Sequence, residues 1–191
     1  MGLGVKKEMK ALILAKGYGT RIKSIIEKEN IPKPLITIKN KSIIEHIVDN
    51  LNVNHINEII VNVHYLSNKI IDCLQDRVLF DYSPLMLSHS MSIIKLRYWL
   101  KDDLFFVING DTISSVNYQD MVNKHQKGAI TALMDRNYRC GGTWLYDNDY
   151  FVNKDIPIIP YYDDEVRWFD VGTPEKLEIV KQEYEKPTSM P

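Results

Sequence analysis

Four short segments of the sequence carry residue types that could bind phosphate and transfer it. Two glycines in Leu14–Arg21 (LAKGYGTR) would let backbone amides approach an anion. In Pro32–Leu35 (PKPL), prolines on both sides of Lys33 hold the backbone extended and aim the lysine. Asp111 ends an apolar run and Asp170 lies in a further short motif. Both could hold Mg²⁺, which usually takes one or two carboxylates together with substrate phosphates.

Each of these segments, taken alone, also fits a purely structural role. The glycine loop could be a tight turn, since it lacks the third glycine of the dinucleotide fingerprint and the GK[ST] of a P-loop. Lys33 could be a solvated lysine between turn prolines, and Asp111 could be a helix cap or turn residue. Arg21 favours the phosphate interpretation, because a guanidinium beside such a loop suits a polyphosphate.

Length and composition describe an ordinary globular chain and favour neither a nucleic-acid nor a membrane partner. The 191 residues fit a single domain, and 45% are hydrophobic and 26% charged. Lys and Arg (24) nearly balance Asp and Glu (25), so no basic excess favours nucleic acid. No apolar stretch approaches the roughly 18 residues of a membrane span.

The N-terminal residues and the cysteines favour a cytoplasmic location. Met1–Met9 is short, polar and lysine-bearing, unlike a signal peptide, and residues 1–8 are expected to be an extension. Cys73 and Cys140 lie far apart and form no metal-binding pattern, as expected for reduced thiols.

Alternation of buried strands with amphipathic helices indicates the fold class. Ser42 begins one helix with Glu45 three residues on, a capping-box pattern. We predict a Rossmann-like three-layer α/β/α fold with a mostly parallel mixed sheet. Its ligands should bind beyond the carboxyl ends of the strands, after Ala15 and Ile108. The other predicted elements of this part are strands Lys10–Ala15, Glu58–Val63, Val78–Tyr82 and Leu104–Ile108 and helices Ser67–Gln75 and Ser90–Leu100.

The last third of the chain is less regular until a closing helix. Thr173 is a good N-cap and Pro174 a good first helical residue. Lys154–Glu165 is rich in proline, tyrosine and aspartate and is assigned to no element. No repeat or linker divides the chain, so residues 1–191 are predicted to be one domain with a tail at 185–191. The predicted elements are helices Asp120–Lys127 and Glu175–Tyr184 and strands Ala129–Met134, Thr143–Tyr146 and Trp168–Val171.

In this order, the four motifs resemble those of the sugar-1-phosphate nucleotidyltransferases, also called NDP-sugar pyrophosphorylases. That family opens with L-A-x-G-x-G-T-R and P-K-P-L, which match Leu14–Arg21 and Pro32–Leu35. Its G-D matches Gly110-Asp111 and its D-x-G-T-P-E matches Asp170–Glu175. The resemblance implies an enzyme that transfers a nucleoside monophosphate from an NTP to a sugar 1-phosphate and releases pyrophosphate.

The resemblance also implies a role for each matching residue. Arg21 and the loop amides would hold the NTP phosphates, while Lys33 would lie near the α-phosphate and the sugar phosphate. Asp111 and Asp170 would hold Mg²⁺ against both substrates, and Gly142 would contact the sugar. A homo-oligomer is left open. The implied nucleotide-binding residues are Leu14, Ala15, Gly17, Tyr18, Gly19, Thr20, Arg21, Ser88 and Gly110.

Two departures from the family pattern affect the nucleotide side of the site. Leu87–Ser92 (LSHSMS) replaces a glycine-rich segment that helps to bind the base in the family. We therefore expect side chains of Ser88, His89 or Ser90 to contribute to base selection. Lys16 replaces a small residue and adds a positive charge to the phosphate loop.

A third departure shortens the acceptor side and leaves the substrates open. The region between Met134 and Gly141 is too short for the family's hairpin and its E-K-P tripeptide, and Glu185-Lys186-Pro187 is not expected to replace it. The continuation Thr20–Ser24 resembles heptose- and mannose-1-phosphate guanylyltransferases, which favours GTP. One alternative is a cytidylyltransferase acting on a non-sugar phosphate. Another is a nucleotide-binding partner protein without turnover, against which the two aspartates of the motifs argue.

Overall fold

The computed structural model describes residues 9–101 and 104–185, and within them strands and helices alternate along the chain. The predicted extension at 1–8 and the tail beyond residue 185 lie outside the described residues. The strands are β1 (Lys10–Ala15), β2 (Thr37–Ile38), β3 (Lys41–Ser42), β4 (Glu58–Val63), β5 (Leu79–Tyr82), β6 (Phe105–Asn109), β7 (Thr112–Ser114), β8 (Ile130–Met134), β9 (Cys140–Tyr146), β10 (Ile158–Tyr161) and β11 (Trp168–Asp170). The α-helices are α1 (Lys23–Glu29), α2 (Ile43–Val53), α3 (Ser67–Leu74), α4 (His89–Lys95), α5 (Arg97–Leu100), α6 (Tyr118–Asn123) and α7 (Pro174–Glu185).

A seven-stranded mixed sheet forms the centre of the fold, in the order β10-β8-β9-β6-β1-β4-β5. Strand β1 pairs in parallel with β4 and β6, and β4 pairs in parallel with β5. Strand β9 runs antiparallel to both β6 and β8, while β10 is parallel to β8. The predicted mostly parallel mixed sheet is confirmed.

Helices cover both faces of the sheet, and β1 shows why. Its side chains Ala11, Leu12 and Ile13 are all fully buried. Ala11 and Ile13 pack in one apolar cluster with residues of α2, α3 and α7, whereas Leu12 packs in a second cluster with residues of α4 and α5. Adjacent strand residues point to opposite faces, so a run of apolar residues requires cover on both sides. This confirms the three-layer α/β/α arrangement.

The capping box predicted at Ser42 is present at the start of α2. The Ser42 hydroxyl oxygen accepts a hydrogen bond from the Glu45 amide at 3.3 Å, and a Glu45 carboxylate oxygen accepts one from the Ser42 amide at 2.8 Å. Five apolar residues of α2, which recur at helical spacing, are buried against the sheet. The capping box thus marks the start of this helix, and the spacing of its apolar residues gives the face that is buried.

Several element boundaries differ from the sequence-based prediction. The helix predicted at Ser90–Leu100 is divided at Leu96, whose amide donates to the Ile93 carbonyl as α4 ends. Helix α6 begins before the predicted Asp120, because the Asn117 side chain caps it by accepting from the Asp120 amide. Helix α1 and strand β10 were not predicted.

The helices that the structure describes include none that combines the length and the apolar character needed to cross a membrane.

Candidate active site

The carboxyl ends of β1 and β6 lie side by side and form the base of the site. The Gly110 amide, just after β6, donates to the Leu14 carbonyl of β1 at 3.0 Å. A Cβ atom at position 110 would lie only 3.0 Å from that carbonyl oxygen and 3.1 Å from the Ala15 Cβ. Glycine therefore allows the turn after β6, which carries Asp111, to pack against the end of β1, where the glycine loop begins.

The glycine loop after β1 leads directly into a short helical turn. Gly19 has a φ of +64°, and its carbonyl accepts from the Ile22 amide at the start of the 3₁₀ turn Thr20–Ile22. A Cβ on Gly19 would lie 2.9 Å from the Ile26 Cδ1 atom, so the loop can pack this closely only with glycine. The exposed Tyr18 hydroxyl lies 3.0 Å from the His64 Nε2 atom.

Lys33 joins the two aspartates that the sequence predicted as metal ligands. Its side chain is only 7% exposed, and its Nζ atom lies 2.5 Å from an Asp111 carboxylate oxygen and 3.6 Å from an Asp170 oxygen. On the far side, Lys176 of α7 donates to the other Asp170 oxygen at 2.9 Å. The two carboxylates and two ammonium groups form one continuous charge cluster.

Pairing of two three-residue strands brings Asp170 to Asp111. Strands β7 and β11 run antiparallel, and Asp170 lies opposite Thr112, the residue after Asp111. In addition, the Val171 amide donates to the Asp111 carbonyl at 3.2 Å. Proximity of the two aspartates follows from this pairing, which neither motif indicates on its own.

Nearby cations hold the Asp170 carboxyl in its charged form. Burial alone would raise its pKa, but the hydrogen bond from Lys176 and the charges of Lys33, Lys176 and Arg21 outweigh that effect, and the pKa is lowered. Gly172 leaves room for this arrangement, because a Cβ there would lie 2.9 Å from an Asp170 oxygen and 3.3 Å from an Arg21 Nη atom. Arg21 thus reaches the charge cluster.

Two clefts meet at the charge cluster. The first, which we call the loop cleft, has a volume of about 270 Å³ and includes Lys33 and Asp111 in its lining. The second, the α7 cleft, has a volume of about 430 Å³ and includes Asp170 and Lys176. Because Lys33 contacts both aspartates, the clefts are adjacent. Ligand pockets commonly have volumes of about 300–1,000 Å³.

Four of the nine predicted nucleotide-binding residues line the loop cleft. Leu14, Ala15, Gly17 and Gly110 belong to its wall. The remaining predicted residues lie elsewhere: Tyr18, Gly19 and Thr20 further along the loop, Arg21 near Asp170, and Ser88 at the start of α4. Gly142, the predicted sugar contact, has a φ of +71° and packs against Thr112, beside Asp111.

The segment that replaces the family's glycine-rich motif forms the start of α4. The Ser88 hydroxyl oxygen caps this helix by accepting from the Met91 amide at 3.2 Å. His89 is half-buried, with its ring edge-on to Trp144 at 4.7 Å between centroids and its Nε2 atom 3.3 Å from the Tyr146 hydroxyl. His89 lines the loop cleft, so of the three side chains expected to select the base it is the best placed.

The contacts of Lys16 could not be predicted from its position in the glycine loop. Its side chain is buried between the loop and α4, where it donates to the Ser88 carbonyl at 2.9 Å and to the Ser92 hydroxyl. Burial lowers the pKa of Lys16, and the charge of Asp81 opposes that effect. The sequence signalled a charge in the loop, but not the helix that receives it.

The shortened region between β8 and β9 is an ordered turn. One Asp135 carboxylate oxygen accepts from the Asn137 amide at 2.8 Å and from the Arg139 amide at 2.9 Å. The other oxygen pairs with the Arg139 guanidinium at 2.6 Å. Asp135 and Arg139 also line the α7 cleft, so this turn forms one of its walls.

The described part of the chain contains no large cluster of metal-binding side chains. No set of three or more His, Cys, Asp and Glu side chains is arranged there to hold an ion. Asp111 and Asp170 are the pair that both approach one cation, Lys33.

Comparisons with known proteins identify relatives of this chain. A family model described as nucleotidyl transferase matches residues 10–139. The bifunctional protein GlmU of Methanococcus maripaludis (strain DSM 14266) is 36% identical over 117 residues, which make up 60% of this chain and 28% of that protein. The mannose-1-phosphate guanylyltransferase catalytic subunit beta of Xenopus tropicalis is 30% identical over 127 residues, which make up 62% of this chain and 35% of that protein. The chain therefore spans about a third or less of these curated relatives.

A solved structure supports the fold over nearly the whole chain. HddC from Yersinia pseudotuberculosis, complexed with GMP-PN, aligns with a TM-score of 0.75 over 93% of this chain and 100% of that chain. The sequence identity is 18%, so this likeness concerns the fold.

Proposed function

Because the chain belongs to the nucleotidyl transferase family, as its motifs predicted, we propose that it transfers a nucleoside monophosphate from an NTP to a sugar 1-phosphate. The observation that carries the proposal is the position of the Lys33–Asp111–Asp170 cluster between two clefts. A transfer reaction needs two substrates whose reacting phosphates meet at one point. A cation between two carboxylates, with a cleft on each side, provides such a point.

The loop cleft suits the NTP. Its wall combines the glycine loop after β1 with Lys33, and both can neutralise phosphate oxygens. Met86 and His89 line the same cleft and offer apolar and ring surface for a nucleoside. Arg21, which reaches the cluster from the end of the loop, adds a second fixed cation. We assign Arg21 and Lys33 as the catalytic cations.

The α7 cleft suits the acceptor. Lys176 and Arg139 supply cationic donors, each already paired with a carboxylate, and Trp168 and Phe169 supply flat apolar surface of the kind that packs against sugar rings. Asp170 connects this cleft to the cluster. A 1-phosphate group placed near Asp170 and Lys33 would face the α-phosphate of an NTP in the loop cleft.

The two carboxylates fit a Mg²⁺ ion. The Asp111 and Asp170 oxygens, 2.5 and 3.6 Å from Lys33 Nζ, are within about 6 Å of each other, and Mg²⁺ binds through one or two carboxylates completed by phosphate oxygens and water. When bound, Mg²⁺ would neutralise the charge that collects between the two substrates. Asp111 and Asp170 would be its protein ligands.

The reaction needs positioning and charge neutralisation from the protein. An oxygen of the acceptor phosphate forms a bond to the α-phosphorus while the bond to the bridging oxygen of the leaving pyrophosphate breaks. Because the attacking oxygen is already an anion, no side chain has to remove a proton. Lys33 and Arg21 would orient the two phosphates in line and offset their repulsion, where one such group contributes about 3–4 kcal/mol.

The finer assignments form part of the same proposal. The resemblance of Thr20–Ser24 to guanylyltransferases favours GTP as the donor and a heptose or mannose 1-phosphate as the acceptor. A cytoplasmic location fits the two free cysteines.

Pyrophosphate release tests the proposal directly. The protein is incubated with Mg²⁺ and each of the four NTPs, crossed with a set of sugar 1-phosphates and phosphocholine, and NDP-sugar formation is verified by mass. We expect release with at least one sugar 1-phosphate, loss of release in Asp111→Asn, and wild-type release in Asp164→Asn. Asp164 is an exposed aspartate paired with Arg136 and serves as the matched control. Release with phosphocholine alone would favour a non-sugar cytidylyltransferase, and nucleotide binding without release would indicate a binding protein.

A further inference from the structure

Lys16 places an ammonium group in a buried position, and its described hydrogen bonds use only two of the three N–H donors. The residue is only 8% exposed, yet it lines the loop cleft. An ammonium group has three N–H donors and no acceptor. Two of the donors are directed to the Ser88 carbonyl and the Ser92 hydroxyl at the start of α4. These two bonds fix the ammonium in place and leave a third N–H.

The composition of the loop cleft orients a nucleotide relative to Lys16. Its lining includes Lys33 and Asp111 of the charge cluster, where the phosphates are expected, and also His89 of α4 and Met86 shortly before that helix, which we call the α4 end. Lys16 bonds to Ser88 and Ser92 at the start of α4, so it belongs to the α4 end. The pKa of His89 is lowered by burial and, to a smaller extent, by the charge of Lys16, which agrees with this position. That end would receive the base.

We propose that Lys16 selects the base of the nucleotide by donating its remaining N–H to a carbonyl oxygen on the base edge. The inference rests on the proposed function, because it assumes that the loop cleft takes an NTP. Guanine and uracil present a carbonyl oxygen where adenine and cytosine present an amino group. A fixed ammonium binds the first kind of base and opposes the second, since two donors face each other without an acceptor.

A different role for Lys16 would give a different result. If the lysine only connects the phosphate loop to α4, its loss should weaken the binding of every nucleotide by a similar factor. If it contacts the base, its loss should change the ratio of the dissociation constants of two nucleotides whose bases differ at the contacted edge. The ratio therefore separates a specificity residue from a purely structural one.

The experiment compares pairs of triphosphates that differ at the edge in question. GTP is paired with 2-aminopurine riboside triphosphate, which lacks the O6 oxygen and the N1 proton of guanine, and UTP is paired with CTP, in which an amino group replaces the O4 oxygen and N3 carries no proton. Because each ratio is compared between wild type and variant, the contribution of the ring nitrogen cancels and that of Lys16 remains. Dissociation constants are measured by calorimetry, without an acceptor, for the wild type, Lys16→Met and Lys16→Arg. Lys23→Met is the control, because Lys23 is an exposed lysine of α1 that pairs with Glu27 outside the cleft.

In the pair that the wild type binds more tightly, we expect a preference of tenfold or more for the carbonyl-bearing base, as for a hydrogen bond to a charged group. Lys16→Met should reduce that preference at least fivefold, Lys16→Arg should retain part of it, and Lys23→Met should leave it unchanged.

If Lys16→Met does not fold, Ser92→Ala, which removes one of the two oxygens that fix the ammonium, should reduce the preference severalfold. An unchanged ratio in Lys16→Met, or in Ser92→Ala where that variant takes its place, would overturn the inference and leave the proposed function intact. Absence of binding by all nucleotides would overturn both.

Discussion

Replacement of Lys33 by methionine should reveal how strongly the fold depends on the charge cluster. The Lys33 side chain is 7% exposed and lies against Asp111 and Asp170. Methionine has a similar length and can fill the space of the lysine stem, so the change removes mainly the charge. Two carboxylates would then face each other without the cation that separates them.

The expected loss of stability follows from the exposure of the partners. Removing one member of a fully buried ion pair costs about 3–5 kcal/mol. Here the Asp111 and Asp170 side chains are 31% and 24% exposed, and Lys176 still bonds to Asp170. Solvent and Lys176 therefore offset part of the effect, and we expect the free energy of unfolding to fall by about 1–3 kcal/mol at pH 7.

The dependence on pH separates the charge effect from packing. The pKa of Asp170 is lowered in the folded protein, so its charged form contributes stability above the unfolded pKa of about 3.9, and that contribution is lost as the pH falls. Without Lys33, part of this contribution is already gone at pH 7. The difference between variant and wild type should therefore shrink between pH 7 and about pH 3.5.

Urea unfolding at the two pH values measures the difference, with Lys41→Met as the control. Lys41 is 55% exposed and lies 2.6 Å from Asp49, which Arg77 also contacts, so its loss should cost less than about 1 kcal/mol. An equal loss of stability in Lys33→Met at both pH values would show that the lysine acts through packing. A loss no larger than that of Lys41→Met would refute the argument.

Three further changes test the site and the fold. Asp111→Asn should lower kcat at least about a hundredfold at saturating Mg²⁺ while the protein stays folded, and near-normal kcat would exclude the metal assignment. Arg21→Ala should weaken NTP binding or kcat/KM by about 1.5–3 kcal/mol, as for a lost charge-assisted hydrogen bond, and calorimetry with steady-state kinetics would reveal unchanged values if the role is wrong. Ser42→Ala should lower the free energy of unfolding by about 1 kcal/mol through loss of the capping box, and a urea midpoint equal to wild type would contradict this.

The parts of the fold that the sequence predicted are those in which one local signal is strong. Strands Lys10–Ala15 and Glu58–Val63 have their predicted boundaries, because each is an apolar run of strand length buried on both faces. Strand β10 was missed because Pro160 lies within it and the surrounding residues show no alternation. It is an edge strand paired with β8, and an edge tolerates a proline that a central strand would not.

Proximity of the first and third motifs at the site was also predictable, and that of the last was not. The carboxyl ends of neighbouring parallel strands lie together, so the loop after Ala15 and the turn at Gly110 had to be adjacent if β1 and β6 paired. Asp170 reaches them through the pairing of β11, which was predicted as a strand at Trp168–Val171, with β7, which was not predicted because a strand of three residues is too short to show a period. Likewise, burial of Lys16 depends on α4, which is distant in sequence.

The charge count at the junction of the clefts favours a metal ion in the proposed reaction. Arg21, Lys33 and Lys176 bring three positive charges there, and Asp111 and Asp170 remove two of them. An NTP and a phosphomonoester would bring several negative charges to the same place, which one net positive charge cannot neutralise. The turn at Asp135 adds no net charge, because that carboxylate already pairs with Arg139. Under the proposed function we therefore expect the remaining positive charge to come from outside the chain, and a divalent cation held by the two aspartates would supply it where the phosphates meet.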